Sequence, residues 1–188
     1  GTGGSGIRSN DTLIISNSAT ITNATGGTST NGTGGNGIYS RRELKIDGGA
    51  AITNATGGEG KASGGYGIRS DGELSISGGT IGSLTTDDNG KQIPDPTTGA
   101  LGGNAATGEQ GGHGIYSSFV NILGGIITRA KGGNATDTNS GDGGHGISSD
   151  EALTIHSGNI GTAQGGTSAN GTGGSGIRSN DTLIISNS

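Results

Sequence analysis

Six Gly-Ile dipeptides, each followed by a Ser two residues after the Ile, fall at Ile7, Ile38, Ile68, Ile115, Ile147 and Ile177, spaced 31, 30, 47, 32 and 30 residues apart. A chain that restarts one short pattern about every 31 residues is built of equivalent units, each burying its apolar face only against its neighbours. A longer period lies over the short one. Residues 1–18, GTGGSGIRSNDTLIISNS, return unchanged as residues 171–188, so the sequence is a window on a 170-residue tandem repeat. Gly1 and Ser188 both fall in mid-motif and there is no initiator Met, which gives the expectation that the natural chain continues in both directions.

Aligned on the Gly-Ile positions, the copies share a frame: GGxGI-x-S, then Leu-x-Ile, a lone Ile, an Ala, and a Gly-rich return. Leu-x-Ile is a period-two pattern, which in a strand sends both apolar side chains to one face. Lys45, Ser75 and Thr154 fill the intervening, outward place. Glycine every few residues would cost a helix about 1 kcal/mol each, and no stretch carries a helical apolar spacing. The expected fold is therefore all-β: a single parallel β-solenoid over 1–188, with three short strands per coil of about 30 residues. Right-handed winding follows from the general handedness of parallel crossovers. The expected core is four ladders: Ile7, Ile38, Ile68, Ile115, Ile147 and Ile177; Leu13, Leu44, Leu74 and Leu153; Ile15, Ile46, Ile76, Ile122 and Ile155; and Ile21, Ile52, Ile81, Ile127 and Ile160. Turns rich in Gly, Asn, Ser and Asp join the strands. Neither end of the window has the polar cap that closes a solenoid.

Composition limits the alternatives. Leu, Ile, Val and Phe supply 31 of 188 residues against 46 glycines, too few for the thick core of an ordinary globule. A net charge of only -5 permits a compact or fibrous state. Ten scattered Lys and Arg in an acidic chain argue against nucleic acid. The absence of cysteine excludes disulfides and thiolate metal sites, and no apolar run reaches the roughly 18 residues of a membrane span.

Residues 67–81, GIRSDGELSISGGTI, resemble the repeat of bacterial extracellular β-helix proteins that carry a pectate-lyase-like carbohydrate-binding domain, and of Gly-rich surface adhesins. The resemblance extends to all six copies through their Gly, Ile and Leu positions. It implies an extracellular or cell-surface location, with calcium and acidic polysaccharide as ligands. Asp71 and Asp150 stand where that pattern has its Asp; Asn10, Arg41 and Ser118 stand there in other copies. The Gly-rich nonapeptide calcium repeat is a different case, since Arg8, Tyr39, Arg69, Tyr116 and Ser148 replace the carboxylate it needs.

Several features are candidate sites, each with a plainer reading. His113 and His145 occupy one place in successive GGHG segments. Stacked imidazoles can hold a transition metal if further ligands converge; alternatively this is an exposed turn position, filled elsewhere by Ser5, Asn36 and Tyr66. The 47-residue spacing reveals an inserted loop at 87–103 that holds both prolines. There Asp87, Asp88, Asn89 and Asp95 offer oxygen ligands to a hard cation such as calcium, or the loop packs on a neighbouring coil, or it sits in water. No other cofactor is indicated. Asn10, Asn23, Asn31, Asn54, Asn134, Asn170 and Asn180 open Asn-x-Thr sequons, possible glycosylation acceptors that a turn-rich composition also generates. Thr20 and Thr22 suggest a Thr-x-Thr row of the kind that binds ice, but its counterparts are Ala51/Thr53, Thr80/Gly82, Ile126/Thr128 and Asn159/Gly161. Arg41 and Arg42, before Glu43, are the one basic cluster, and no catalytic constellation is present.

The sequence thus supports a non-enzymatic structural repeat of an extracellular filament, stalk or giant surface protein, whose partner is itself through continuous or end-to-end stacking. The alternative is an adhesin or polysaccharide-binding module, using the inserted loop or the column of Arg8, Arg69, Arg178, Tyr39 and Tyr116.

Overall fold

The computed structural model describes residues 1–107, 109–136 and 141–186. These form a parallel β-solenoid of about six turns, with no helix among the described residues. Identical or equivalent residues stack coil upon coil. Ile7, Ile38, Ile68, Ile115, Ile147 and Ile177 pair in an unbroken parallel ladder. The second ladder begins at Leu13 and Ile15 and ends at Leu183 and Ile185. In the fourth coil Val120 takes the Leu place, a core residue absent from the expected set because this coil has one residue fewer at the preceding corner. The register shift between Ser117 and Phe119 is that deletion.

In the four middle coils the expected ladder residues are buried, from Ile38 through Ile155. Ile7, Leu13, Ile21 and Ile177, in the first and last coils, and Ile160, on the third strand of the fifth, are partly buried and pack against that core. A fully buried Ile or Leu contributes about 1.5–3 kcal/mol relative to exposure, and stacking repeats that gain at each coil.

Between the first and second strands an inward Ser closes the corner. Ser40 Oγ lies 2.7 Å from both the Asp11 and the Glu43 carbonyl oxygens, and Ser70 and Ser149 bridge the previous coil and their own in the same way. These hydroxyls are fully buried. Most of these carbonyls also accept a backbone N–H from the neighbouring coil, as Glu43 O does from Leu13 and Ser118 O from Glu151. Each hydroxyl thus finds partners at the corner by adding a second bond to a ladder acceptor, which is why Ser recurs in the GI-x-S frame.

The third strand runs Thr20–Thr25 in the first coil, Ala51–Thr56 in the second, Ile126–Lys131 in the fourth and Asn159–Gln164 in the fifth. Its inward residues are three apart, Ile21 and Ala24 or Ile52 and Ala55, so the strict alternation of a strand is interrupted between them. The third coil departs at that interruption. Thr80–Ile81 continues the Ile ladder and Gly99–Leu101 resumes it opposite Asn54–Thr56, so residues 82–98 replace the single Thr53. The excursion therefore begins and ends five residues earlier than the expected loop at 87–103. Residues 99–103 belong to the solenoid, with Ala100 buried in the Ala column.

The Gly-rich return is the part of the fold least like a loop. Two Gly doublets per coil face each other, and their peptides form one hydrogen-bonded chain along the axis. Gly58 N–H donates to Gly35 O, Gly65 to Gly58, Gly103 to Gly65, Gly112 to Gly103 and Gly133 to Gly112, each at 2.8–2.9 Å. The backbones approach so closely that side chains are excluded. A Cβ on Gly64 would sit 1.8 Å from Gly103 O, and one on Gly57 1.9 Å from Gly65 O.

Gly64→Ala should therefore destabilise the protein by about 3 kcal/mol or more, at or above the upper range for overpacking, because only rigid backbone could give way. Gly78→Ala is the control, since its Cβ would meet nothing nearer than 3.6 Å. Urea unfolding should separate the two, and equal midpoints would refute the close-packed glycine column.

Candidate functional site

The x of GGxG and the residue three places on, after Gly-Ile, bring the polar and aromatic side chains together on one flank. One column contains Asn36, Tyr66, His113 and His145. The next contains Arg8, Tyr39, Arg69, Tyr116, Ser148 and Arg178, held in register by the first-strand ladder. All three tyrosines of the chain lie here.

In the first column the side chains substitute for carbonyls. Asn36 Oδ1 accepts the Tyr66 N–H at 3.0 Å, His113 Nδ1 accepts the His145 N–H at 2.8 Å, and His145 Nδ1 accepts the Ser175 N–H at 2.8 Å. Each side chain caps the backbone donor of the coil that follows. The imidazoles are stacked 4.8 Å apart, about one coil spacing, and Tyr66 lies parallel to His113 at 5.1 Å.

His113 and His145 are only 5% and 7% exposed, which corrects the reading of an exposed turn. Burial, then the charges of His145, Arg178 and Arg69, pull the His113 pKa down to about 3. Burial, then Arg178, lowers that of His145. An Nδ1 that accepts a hydrogen bond belongs to a neutral ring with its proton on Nε2. Arg178 Nη1, 2.9 Å from His145 Nε2, thus competes with the Ser175 amide for the ring's single lone pair. With both Nδ1 atoms engaged by backbone, this pair is not arranged as a metal site. Among the described residues no group of three or more His, Cys, Asp or Glu is placed to share an ion.

The second column is a cation–π stack. Arg8 and Arg69 lie 5.5 and 5.7 Å from the Tyr39 ring centre, and Arg69 lies 5.1 and 5.6 Å from those of Tyr66 and Tyr116. Asp71 holds the assembly from outside, bonding Arg69 Nε at 2.7 Å and the Tyr39 hydroxyl at 2.5 Å. The Tyr116 hydroxyl donates to Asp150. Burial first, and then these carboxylates, raise the Tyr39 and Tyr116 pKa values. Successive rings and guanidinium groups close one another's faces along the axis. Sugar stacking needs an open ring face, which this column does not offer between Arg8 and Tyr116.

The excursion at 82–98 is an antiparallel hairpin of Leu84–Thr86 and Gln92–Pro94. Its carboxylates do not converge. Asp87 Oδ1 caps the tip by accepting the Asn89 and Lys91 N–H groups. Asp95 caps the base, taking Thr97 N–H and hydroxyl on one oxygen and the Ser83 hydroxyl on the other; those Thr97 bonds lower its pKa. Asp88 and Asn89 are exposed between them. The hairpin packs on neighbouring coils. Arg129 Nη1 donates to Pro96 O at 2.6 Å, and buried Thr128 reaches Thr98 O at 3.2 Å. The ring of Pro94 sits where a Cβ on Gly161 would come within 2.9 Å of it. Thr128 is buried beneath this base, which removes one more member from a Thr-x-Thr row that Ala51, Gly82, Ile126, Asn159 and Gly161 already interrupt.

Of the sequon asparagines, Asn10, Asn23, Asn31, Asn170 and Asn180 are exposed, while Asn54 and Asn134 are half-buried. Asn54 Nδ2 donates to Asn23 Oδ1 at 3.1 Å, and Asn134 Oδ1 accepts the Thr167 N–H. These two amides serve as rungs between coils.

Sequence reasoning placed Tyr39 and Tyr116 in one column but missed Tyr66 as their neighbour, and missed the imidazoles as backbone acceptors. The signal was present: Asn36 stands at the place of the frame that His113 and His145 fill in later copies, and both side chains offer an acceptor at a similar reach from Cα. No family model, curated protein or solved structure matches this chain.

Acidification should destabilise the protein. The folded state binds fewer protons than the unfolded one wherever the His113 pKa stays below its ordinary value of 6.5, so stability is full above that value and falls as pH drops toward about 3. His113→Asn, which keeps an acceptor as Asn36 does, should flatten this decline. A melting temperature whose pH dependence is unchanged in that variant would contradict the assignment.

Proposed function

We propose that the chain is a structural repeat of an extracellular filament, stalk or giant surface protein, in which stacked coils supply length and stiffness. The observation that carries this reading is the five-coil period. Ile7–Ser9 and Ile177–Ser179, identical in sequence, occupy the same column as first and sixth coils, with Leu13–Ile15 and Leu183–Ile185 following suit. A unit that restores its own first coil in register can be repeated indefinitely by the same ladder rules. The chemistry-bearing side chains support the reading as well. Ser40, Ser70, Asn36, His113 and His145 hydrogen-bond between coils, and Arg69 and the tyrosines make ring contacts between them.

A second reading, an adhesin or polysaccharide-binding module, is favoured by a groove of about 260 Å³ beside the hairpin base. Arg129, Lys131, Glu59 and Asn104 line it, with glycine backbone between them. Acidic glycan would meet the two cations there, and among the described residues no carboxylate set converges to hold calcium in this reading.

Chains of one, two and three 170-residue units decide between continuous stacking and discrete modules. Particle length in electron micrographs should grow by about 24 Å per unit, five coils of about 4.8 Å. Antibodies to the unit should label threads outside the native cell. Beads of constant length joined by flexible gaps, or labelling confined to the cell interior, would overturn the filament. Retention on an acidic polysaccharide that is lost in Lys131→Ala would favour the second reading.

A further inference from the structure

The chain contains no cysteine, methionine or tryptophan, so its three tyrosines are the side chains that a one-electron oxidant removes electrons from most readily. Three tyrosines scattered through 188 residues would give such chemistry no direction, but here they share one cluster. Tyr66 and Tyr116 lie on adjacent coils with ring centres 5.1 Å apart and planes inclined by 33°. His113 is wedged against both, 5.1 Å from Tyr66 and 5.6 Å from Tyr116, and holds them in place. Tyr39 is the outlier, because the Arg69 guanidinium stands between it and Tyr116. The Tyr116 hydroxyl donates to the Asp150 carboxylate, which can receive the phenolic proton as the electron leaves.

We propose that Tyr66 and Tyr116 form a site of oxidative phenol coupling, at which a peroxidase-type one-electron oxidant with hydrogen peroxide joins the third and fourth coils by a carbon–carbon bond. Each phenol gives up one electron to the oxidant and one O–H proton, that of Tyr116 passing to Asp150 and that of Tyr66 to solvent. The two phenoxyl radicals couple through ring carbons ortho to oxygen. The hydrogen on each of those carbons then returns to its own phenol oxygen, restoring both aromatic rings. The product lacks two hydrogens, and one hydrogen peroxide has become two waters. The bond links residues 50 positions apart in sequence and fixes neighbouring coils covalently in a chain without disulfides. This inference rests on the cluster itself and holds whether or not the chain forms a filament.

The test treats the full chain with a haem peroxidase and limiting hydrogen peroxide over a range of protein concentrations. Dityrosine fluorescence and mass spectrometry of the digest are the readouts. Wild type and Tyr39→Phe should yield a cross-linked peptide pair joining Tyr66 to Tyr116, two hydrogens lighter, within the monomer and in a yield independent of concentration. Tyr66→Phe and Tyr116→Phe, which keep their rings and hence the stack, should lose this product; circular dichroism verifies that both remain folded. Asp150→Asn should slow its formation. Coupling mainly between chains with a yield that rises with concentration, linkage through Tyr39, or survival of the product in Tyr66→Phe would overturn the proposal.

Discussion

The structure depends on how closely two peptide backbones can approach when neither carries a side chain. Half of each coil is an ordinary β ladder, with Ile over Ile and Leu over Leu. The other half must return the chain to its starting point within a cross-section too thin for a second layer of side chains. Facing Gly doublets accomplish this by placing peptide against peptide, so that the donors and acceptors of one doublet meet those of the next, as Gly65 meets Gly58 and Gly103 meets Gly65. The arrangement satisfies backbone groups that a looser return would leave to water. It also explains why a composition that resembles that of a disordered chain specifies one fold. The conformational entropy lost by glycine on folding is large, and it is offset by a hydrogen-bond column that no other residue could join, because a Cβ on Gly57 or Gly64 would lie under 2 Å from a carbonyl oxygen.

A stack built this way has few places for conventional function. Outward positions of the Leu-x-Ile strand vary freely among Ile14, Lys45, Ser75, Asn121 and Thr154, as expected of a surface that only faces solvent. Polar side chains that do not vary in role are turned along the axis. The Ser corner, the Asn and His acceptors and the Arg–Tyr stack each tie one coil to the next. The hairpin obeys the same rule, since Arg129 and Thr128 of the following coil fasten its base. Side-chain chemistry here reinforces what the backbone began.

Much of this was legible in the sequence, for a physical reason. A repeated frame fixes register, because a residue at a given place in one copy must lie over its equivalent in the next, and so the Ile and Leu ladders could be written down before any coordinates. Val120 escaped because a one-residue deletion moved it off the frame, and the inserted segment was misplaced because the strand resumes at Gly99 without an Ile to announce it. The burial of His113 and His145 was not legible from polarity alone. It depends on the ring nitrogen reaching an amide one coil away, a contact between copies that a single copy's pattern does not display. The cluster of Tyr66 with Tyr116 was hidden for a related reason, since the two rings come from neighbouring places of the frame and meet diagonally.

Native-state hydrogen exchange, resolved amide by amide, tests the glycine column most directly. If facing doublets form a continuous hydrogen-bonded chain, the amides of Gly58, Gly65, Gly103 and Gly112 should exchange as slowly as those of Ile68 and Ile115 in the first-strand ladder, opening only with global unfolding. Exchange of the Gly amides at rates near those of an open loop, beneath protected Ile strands, would contradict the account and reduce the return to a tether.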